Sequence, residues 1–479
     1  MSFATAFAAG LIAAWGVVWS ATWLVWNNPQ FDAKRVQRRR VRRTGRGDAT
    51  QVGQANGVAT KEEQNGRLTA ANGSAAVVQE EGSQTRKRGQ AGGRSAKDAN
   101  AERNEYAHKM ACGTSNGEEE MEYYWQSYPD NFLQRFLWVS DLLMNFRGPG
   151  WNWAISPLPA LPPPIKTKLG EPIDAASKSD VSSAGLRRFN TRQELYRYRM
   201  PQFVVGLFLL DILKTAMMKD PYFIFGPNGY ALPQHLKSFS PSALQFYRQA
   251  LSSLSIITSL EMVFILAPLG FSLIFGPKVL GLRAESWYYS TTWGSFTKIL
   301  DKGLNGLWGS WWHQTFRFAF SAPSNYLIAN GHVKARSPAA KILALVFAFG
   351  ISGFLHTGGS ISQLPKTYPW HAPIFFSLQA LGIVVQMATC SALNPLIRKF
   401  PRVVRRIGNF AFTWTWLYYT GWWLADDFAR GGVWLYEPIP VSPLRALGFG
   451  VKGDTWWCWE HIGVGWYTGK NWWESGVAI

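Results

Sequence analysis

Cysteine is scarce in this chain: Cys112, Cys390 and Cys458 are the only three among 479 residues, far apart and with no CxxC pair. That argues against a disulfide scaffold or a zinc site. HExxH is absent as well, which removes the simplest zinc hydrolase. Acidic residues are few, 30 Asp and Glu against 49 Lys and Arg, giving a formal charge of +19. The internal repeats common in transporters are not found.

What is present in excess is apolar and aromatic. The chain is 47% hydrophobic and 15% aromatic, with 25 tryptophans, which is untypical of a soluble enzyme. A mean hydropathy of -0.10 looks too polar for a membrane protein, but one hydrophilic stretch, from about Thr44 to Met121, lowers the average. Elsewhere apolar spans follow one another at Phe3 to Trp26, Phe203 to Met218, Leu251 to Phe275, Ala340 to Leu355, Ile374 to Leu393 and Ile407 to Ala425. Each approaches the roughly 20 residues a bilayer crossing needs, and Phe132 to Phe146 and Val433 to Phe449 are further candidates. The expected fold is therefore all-α, a polytopic transmembrane bundle of about six to eight helices. Residues 1–47 form an N-terminal transmembrane anchor with a basic cytosolic flank, 48–121 a disordered cytosolic insertion, and 122–479 the main membrane domain.

The flank holds Lys34, Arg35, Arg38, Arg39, Arg40, Arg42, Arg43 and Arg46. Positive flanks stay cytosolic, so the N-terminus should be lumenal. Directly after a span, such a cluster points to anionic lipid headgroups and no nucleic acid. The insertion is rich in Gly, Ser, Ala, Gln and charged residues and lacks the apolar surface to fold. Its Gly113-Thr114-Ser115-Asn116-Gly117 matches GxSxG by chance, since that motif needs a strand before it and a helix after it. Asn72 is a glycosylation acceptor that a cytosolic loop leaves unmodified.

Two of the seven histidines stand out. His356 ends the apolar run Phe347-Ala-Phe-Gly-Ile-Ser-Gly-Phe-Leu-His356, and an ionisable side chain in such sequence is a functional candidate by default. Gly350, Ser352 and Gly353 allow close approach of a neighbouring helix, and Gly358-Gly359 are expected to end this one. A neutral imidazole there suits a general base; a structural histidine bonding a carbonyl is the competing reading. His313 and Arg317, four apart, are expected on one helix face with Phe316 and Phe320 nearby. They suit a thioester carbonyl or the phosphates of a carrier, or equally an interfacial anchor. His108, His235, His332, His371 and His461 read as interfacial or solvated. No histidine has an aspartate four residues later, so the HxxxD pair of soluble acyltransferases is absent.

Trp308-Gly309, Trp312-His313-Gln314 and Phe316-Arg317, followed by an apolar helix ending in Ser352-Gly353-Phe354-Leu355-His356, resemble the wax synthase-like branch of the membrane-bound O-acyltransferases. Fungal members that acetylate secondary metabolites are the nearest in pattern. Trp26-Asn27-Asn28-Pro29 with Asp32-Ala33-Lys34-Arg35, Phe146-Arg147-Gly148-Pro149-Gly150-Trp151-Asn152-Trp153, and Leu210-Asp211 with Asp220-Pro221-Tyr222 agree, so the resemblance covers nearly the whole chain outside the insertion. It implies an enzyme of the endoplasmic reticulum with no bound cofactor or metal. Such an enzyme transfers an acyl group, by similarity acetyl, from acetyl-CoA or another acyl-CoA to a hydrophobic alcohol such as a terpenoid. In it His356 is the catalytic base, His313 aids substrate or oxyanion, and Trp312, Gln314 and Arg317 contact substrate or coenzyme A. Wax synthases of plants carry asparagine where this chain has His313. Long-chain wax ester synthesis, a transporter lined by His356 and Glu261, and a membrane scaffold are the alternatives.

Overall fold

The computed structural model of the protein describes residues 3–42, 119–363, 366–459, 465–472 and 475–478. Asn72, His108, Cys112, the Gly113 to Gly117 stretch, His461 and nearly all of 48–121 lie outside the described residues.

Helix α1 (Phe3–Leu24) carries no charged residue and is long enough for one crossing. It stops at Asn27-Asn28-Pro29, where Asn27 Nδ2 donates to the free Thr22 carbonyl (2.8 Å), as helix ends require. After α2 (Phe132–Met144), Thr191 caps α3 (Arg192–Met217) by accepting from the Glu194 amide. Ser240 before Pro241 and Ser337 before Pro338 start α4 (Pro241–Ala267) and α7 (Pro338–Ile361) in the same manner: the hydroxyl satisfies an orphan amide, and proline sits where no N–H is needed. Pro268 has no N–H for the regular ladder, and α4 passes there into a π-helical stretch, Pro268–Phe275. Between α4 and α7 lie α5 (Thr297–Gly306) and α6 (Arg317–Ala329), and after α7 come α8 (His371–Ala392), α9 (Arg402–Thr420) and α10 (Trp422–Arg430).

The fold is mostly helical, as expected, and the chain is an integral membrane protein. Among the described residues five helices are long and apolar enough to cross a membrane: α1, α3, α4 with its extension, α7 and α8. The sixth expected span, Ile407 to Ala425, is corrected. It is divided at Gly421 between α9 and α10, and α9 opens on Arg402, Arg405 and Arg406, with Arg406 Nε held by Asp301 Oδ1 (2.7 Å). Phe132 to Phe146 forms only the 13-residue α2, which buries Trp138, Asp141 and Leu142 and exposes Phe132, Leu133, Phe136 and Met144. That pattern suits a helix lying in the interface. Val433 to Phe449 holds one 3-10 turn and a four-residue helix.

Among the described residues two small antiparallel strand pairs supplement the helices, β1 (Arg35–Arg42) with β2 (Glu119–Gln126), and β3 (Gly465–Tyr467) with β4 (Gly476–Ala478). The first changes the reading of the basic flank. Arg39 pairs with Glu122 (2.7 Å), Arg38 with Glu285 (2.9 Å) and Arg35 with Asp141 (3.0 Å), so these arginines staple a strand. β2 begins at Glu119, inside the stretch expected to be unstructured.

Helix α7 lies between α1 and α8. Glycine makes both contacts possible: a Cβ on Gly358 would stand 2.7 Å from that of Ala14, one on Gly359 would enter the Phe7 ring, and one on Gly353 would meet Pro373. Ser362 Oγ donates to the Ala6 carbonyl (2.6 Å). The expected helix end at Gly358-Gly359 is thereby corrected. Those glycines are where α1 crosses, and the helix continues to Ile361.

Candidate active site

His356 is inside α7, and its Nδ1 lies 2.8 Å from the Ser352 carbonyl oxygen one turn earlier. A carbonyl only accepts, so Nδ1 carries the proton and donates, and Nε2 keeps a lone pair. The ring is half-buried between Phe376 of α8 (centroids 4.8 Å apart) and Phe428 of α10 (6.4 Å, nearly parallel). Phe376 belongs to an aromatic cluster with Phe349 and Phe375, and Phe428 to a second with Tyr222, Phe223 and Trp434. His356 therefore stands at the seam of two packed regions.

His313 is not on a helix, contrary to expectation. α5 gives way to a π-helical turn, Leu307–Trp311, and α6 begins only at Arg317, leaving His313 in the link between them. A single π turn in a helical segment often marks a functional site. The link is held by two of the residues expected to touch substrate. Arg317 Nη1 donates to the Gly309 carbonyl (3.0 Å) and to Gln314 Oε1 (2.8 Å), while Gln314 Nε2 donates to the carbonyls of Trp308 (3.1 Å) and Trp312 (2.6 Å). Gln314 is buried. These bonds set the shape of the turn, and Trp312 packs within it at a tilt against Trp308 (5.3 Å) and His313 (5.3 Å).

The His313 ring is further surrounded by Phe264 (5.5 Å), Phe316 (5.6 Å) and Trp293 (6.0 Å), and its Nδ1 has no partner among the described residues. Burial first, then the Arg147 guanidinium and then His356, push the imidazole down to about 3. It is neutral at physiological pH. The two histidines are near enough for a charge on one to act on the other, and the rings of Trp312, Trp308 and Phe376 bridge the space between them.

One polar group escaped the sequence reading. Ser360, one turn after His356 on the same face of α7, stands beside Asp427 without closing a hydrogen bond to its Oδ2. Asp427 Oδ1 accepts from the Tyr368 amide (2.7 Å), and Asp426 accepts from the Tyr222 hydroxyl (2.7 Å). Burial pushes both carboxyls up. Ser360 Oγ, Asp427 Oδ2, Gln363 Oε1 and His371 Nδ1 are all buried with no partner among the described residues. Orphaned buried polar atoms are rare enough to need an explanation. The spacing of Ser360 from His356 was the available signal; Asp426 and Asp427 approach only through tertiary folding. Glu261, expected to line a pathway with His356 in a transporter, is paired with Arg199 (2.7 Å).

Residues 289–378, which include both histidines, match the Membrane bound O-acyl transferase family. The chain is similar to the O-mevalon transferase macI of Penicillium terrestre, with 24% identity over 59% of this chain and 60% of that protein. It also resembles the O-mevalon transferase yanI of Aspergillus niger (26%, over 54% of each) and the acetyltransferase nanB of Aspergillus nanangensis (27%, over 44% and 47%). The match thus spans at most about three fifths of these relatives. No solved structure matches the chain.

Proposed function

We propose, from that family match, that the protein is an acyl-CoA-dependent O-acyltransferase that places an acetyl group on a hydroxyl of a hydrophobic secondary metabolite. The observation that carries the reading is the His356 hydrogen bond, which leaves Nε2 as an unprotonated acceptor inside the matched segment. Nε2 removes the proton of the acceptor alcohol as its oxygen attacks the thioester carbonyl carbon. A tetrahedral oxyanion forms, the carbon–sulfur bond breaks, and the imidazolium returns its proton to the departing thiolate. Ester and free coenzyme A leave, with no acyl-enzyme and no net proton released. His313, being neutral, contributes a hydrogen bond toward the oxyanion; such donors are worth about 3 kcal/mol where one has been removed. Gln314 and Arg317 act through the turn that presents His313, and Trp312 forms a wall beside it.

The relatives are named for two transferred groups, acetyl and mevalon. Rings packed against both histidines favour a small acyl group, hence acetyl over a fatty chain. The membrane in question is that of the endoplasmic reticulum, with its lipids as surroundings. Purified protein in detergent, given radiolabelled acetyl-CoA and a panel of terpenoid alcohols, is expected to form labelled ester, and His356→Ala to reduce it by at least about 1,000-fold. Undiminished ester formation by the variant would sink the mechanism.

A further inference from the structure

A second arginine lies close to His313, and among the described residues no carboxylate forms an ion pair with it. Arg147, in the loop after α2, donates through Nη1 and Nη2 to the Thr291 carbonyl (3.4 and 3.3 Å) and through Nη2 to the Ser290 hydroxyl. Its Nε makes no hydrogen bond among the described residues. Arg199 of α3 reaches the same place: Nη2 donates to the Ser290 carbonyl (2.9 Å), and Nη1 holds Glu261 Oε1 (2.7 Å) and Gln202 (3.2 Å). Glu261 acts on Arg147 as well, so one carboxylate faces two guanidinium groups. One positive charge is left over.

Burial, then the charge of Arg199, push the Arg147 guanidinium down to about 10, which still leaves it cationic at neutral pH. Unlike lysine, arginine does not lose its proton in such surroundings; Arg147 is only partly buried and the hydrogen bonds it donates all go to neutral oxygens, so its charge is left for an anion to meet. The orphan atoms agree, since Arg199 Nε and Glu261 Oε2 are buried with no partner among the described residues.

The surplus cation belongs to the chamber of His313. Glu261 precedes Phe264 by one helical turn on α4, and Phe264 touches the His313 ring; Ser290 precedes Trp293, which touches it from the other side. After burial, the charge of Arg147 is the largest influence on His313. Phe146, next to Arg147, packs on Phe316 (6.4 Å), another wall of the same ring.

We propose that Arg147, backed by the pair of Arg199 and Glu261, receives a carboxylate carried by one of the two substrates beside His313. The inference rests on the site assigned under the proposed function. A single surplus charge fits one carboxylate; the diphosphate of coenzyme A carries more and would need more cations. The carboxylate belongs either to the acceptor, a hydroxy acid, in keeping with an acetyl donor, or to a transferred group other than acetyl, a dicarboxylic acid joined to coenzyme A at one end.

The test uses the full-length protein in detergent and matched pairs: succinyl-CoA against acetyl-CoA for the donor, ω-hydroxydodecanoic acid against dodecanol for the acceptor. In one pair the carboxylate member is expected to have the lower KM. Arg147→Gln is expected to raise the ratio of KM for carboxylate over neutral substrate by about 10- to 100-fold, the range of one charge-assisted hydrogen bond. Arg147→Lys, whose ammonium can shed its proton in these surroundings, should approach the ratio of the unaltered protein only as the pH is lowered. Binding is measured separately, as the rise in Tm on adding each probe, which survives even if His356 proves not to be the base. A ratio unmoved by Arg147→Gln, or equal Tm shifts for carboxylate and neutral probes, overturns the proposal.

Discussion

At the scale of single residues, the two histidines differ in what surrounds their nitrogens. His356 has one nitrogen fixed by the Ser352 carbonyl, which orients the ring and defines which face is basic. His313 has aromatic neighbours, an orphan Nδ1 and a nearby guanidinium, so its charged form is disfavoured. A consequence for stability follows from linkage. The unfolded imidazole titrates near 6.5 and the folded one near 3, so between these values the unfolded state binds more protons. The contribution of a neutral His313 is fully present above about 6.5 and is lost as pH falls toward 3. Thermal unfolding in detergent from pH 7 to pH 4 should therefore show a larger fall in Tm for the unaltered protein than for His313→Gln, which has no group to protonate. Parallel falls would refute the burial argument. At neutral pH the same variant is expected to lose roughly 100-fold in kcat.

At the scale of elements, the crossing of α1 over α7 sets the position of His356. Gly358 lies two residues past that histidine, against Ala14 and the Gly10 carbonyl, with no room for a side chain. Gly358→Leu should cost about 1–3 kcal/mol by overpacking and lower activity by displacing the ring, whereas Gly350→Leu, where nothing lies within 4 Å of the added carbon, should do neither. Tm and turnover measured on both variants decide it, and equal effects would mean that the crossing is not what holds His356. The same glycines show what the sequence conveyed. Apolar runs of bilayer length and Ser-Pro starts are local signals, so the long helices and the placement of His356 on one were readable. Gly358-Gly359 read as a stop because glycine serves equally as a helix end and as a close-packing site, and only the partner α1, over 300 residues away in sequence, distinguishes them. The link at His313 was illegible for a similar reason. Trp308 to Phe316 is aromatic on every side, so its periodicity does not reveal that α6 starts at Arg317. Arg35 to Arg42 read as a solvated flank because the strand that pairs with it lies some 80 residues on.

At the scale of the whole molecule, that pairing fixes how the long hydrophilic stretch is attached. The register opposes Arg35 to Gln126 at one end of the hairpin and Arg42 to Glu119 at the other, so the chain leaves and re-enters the structure at neighbouring points. Arg39 with Glu122 and the stacking of Arg39 on Tyr124 (5.4 Å) hold the strands together from within, and Val36 packs with Ile165, Leu282 and Trp125 beneath them. None of these contacts needs the intervening residues. By loop-closure entropy, replacing a link of that length with a tight turn is favourable by about 2–3 kcal/mol, four halvings at ~0.6 kcal/mol each. We therefore expect that deleting residues 45–116 and joining the strands through a short Asn-Gly turn, which suits a two-stranded antiparallel ribbon, leaves membrane insertion intact and ester formation within about threefold of the full chain. The measurement is turnover of the shortened protein in detergent beside that of the full-length one, with Tm recorded for both. A shortened protein with an undiminished Tm and no turnover would assign the deleted stretch a part in the reaction itself, and one that fails to insert would mean that the hairpin depends on residues beyond its own strands.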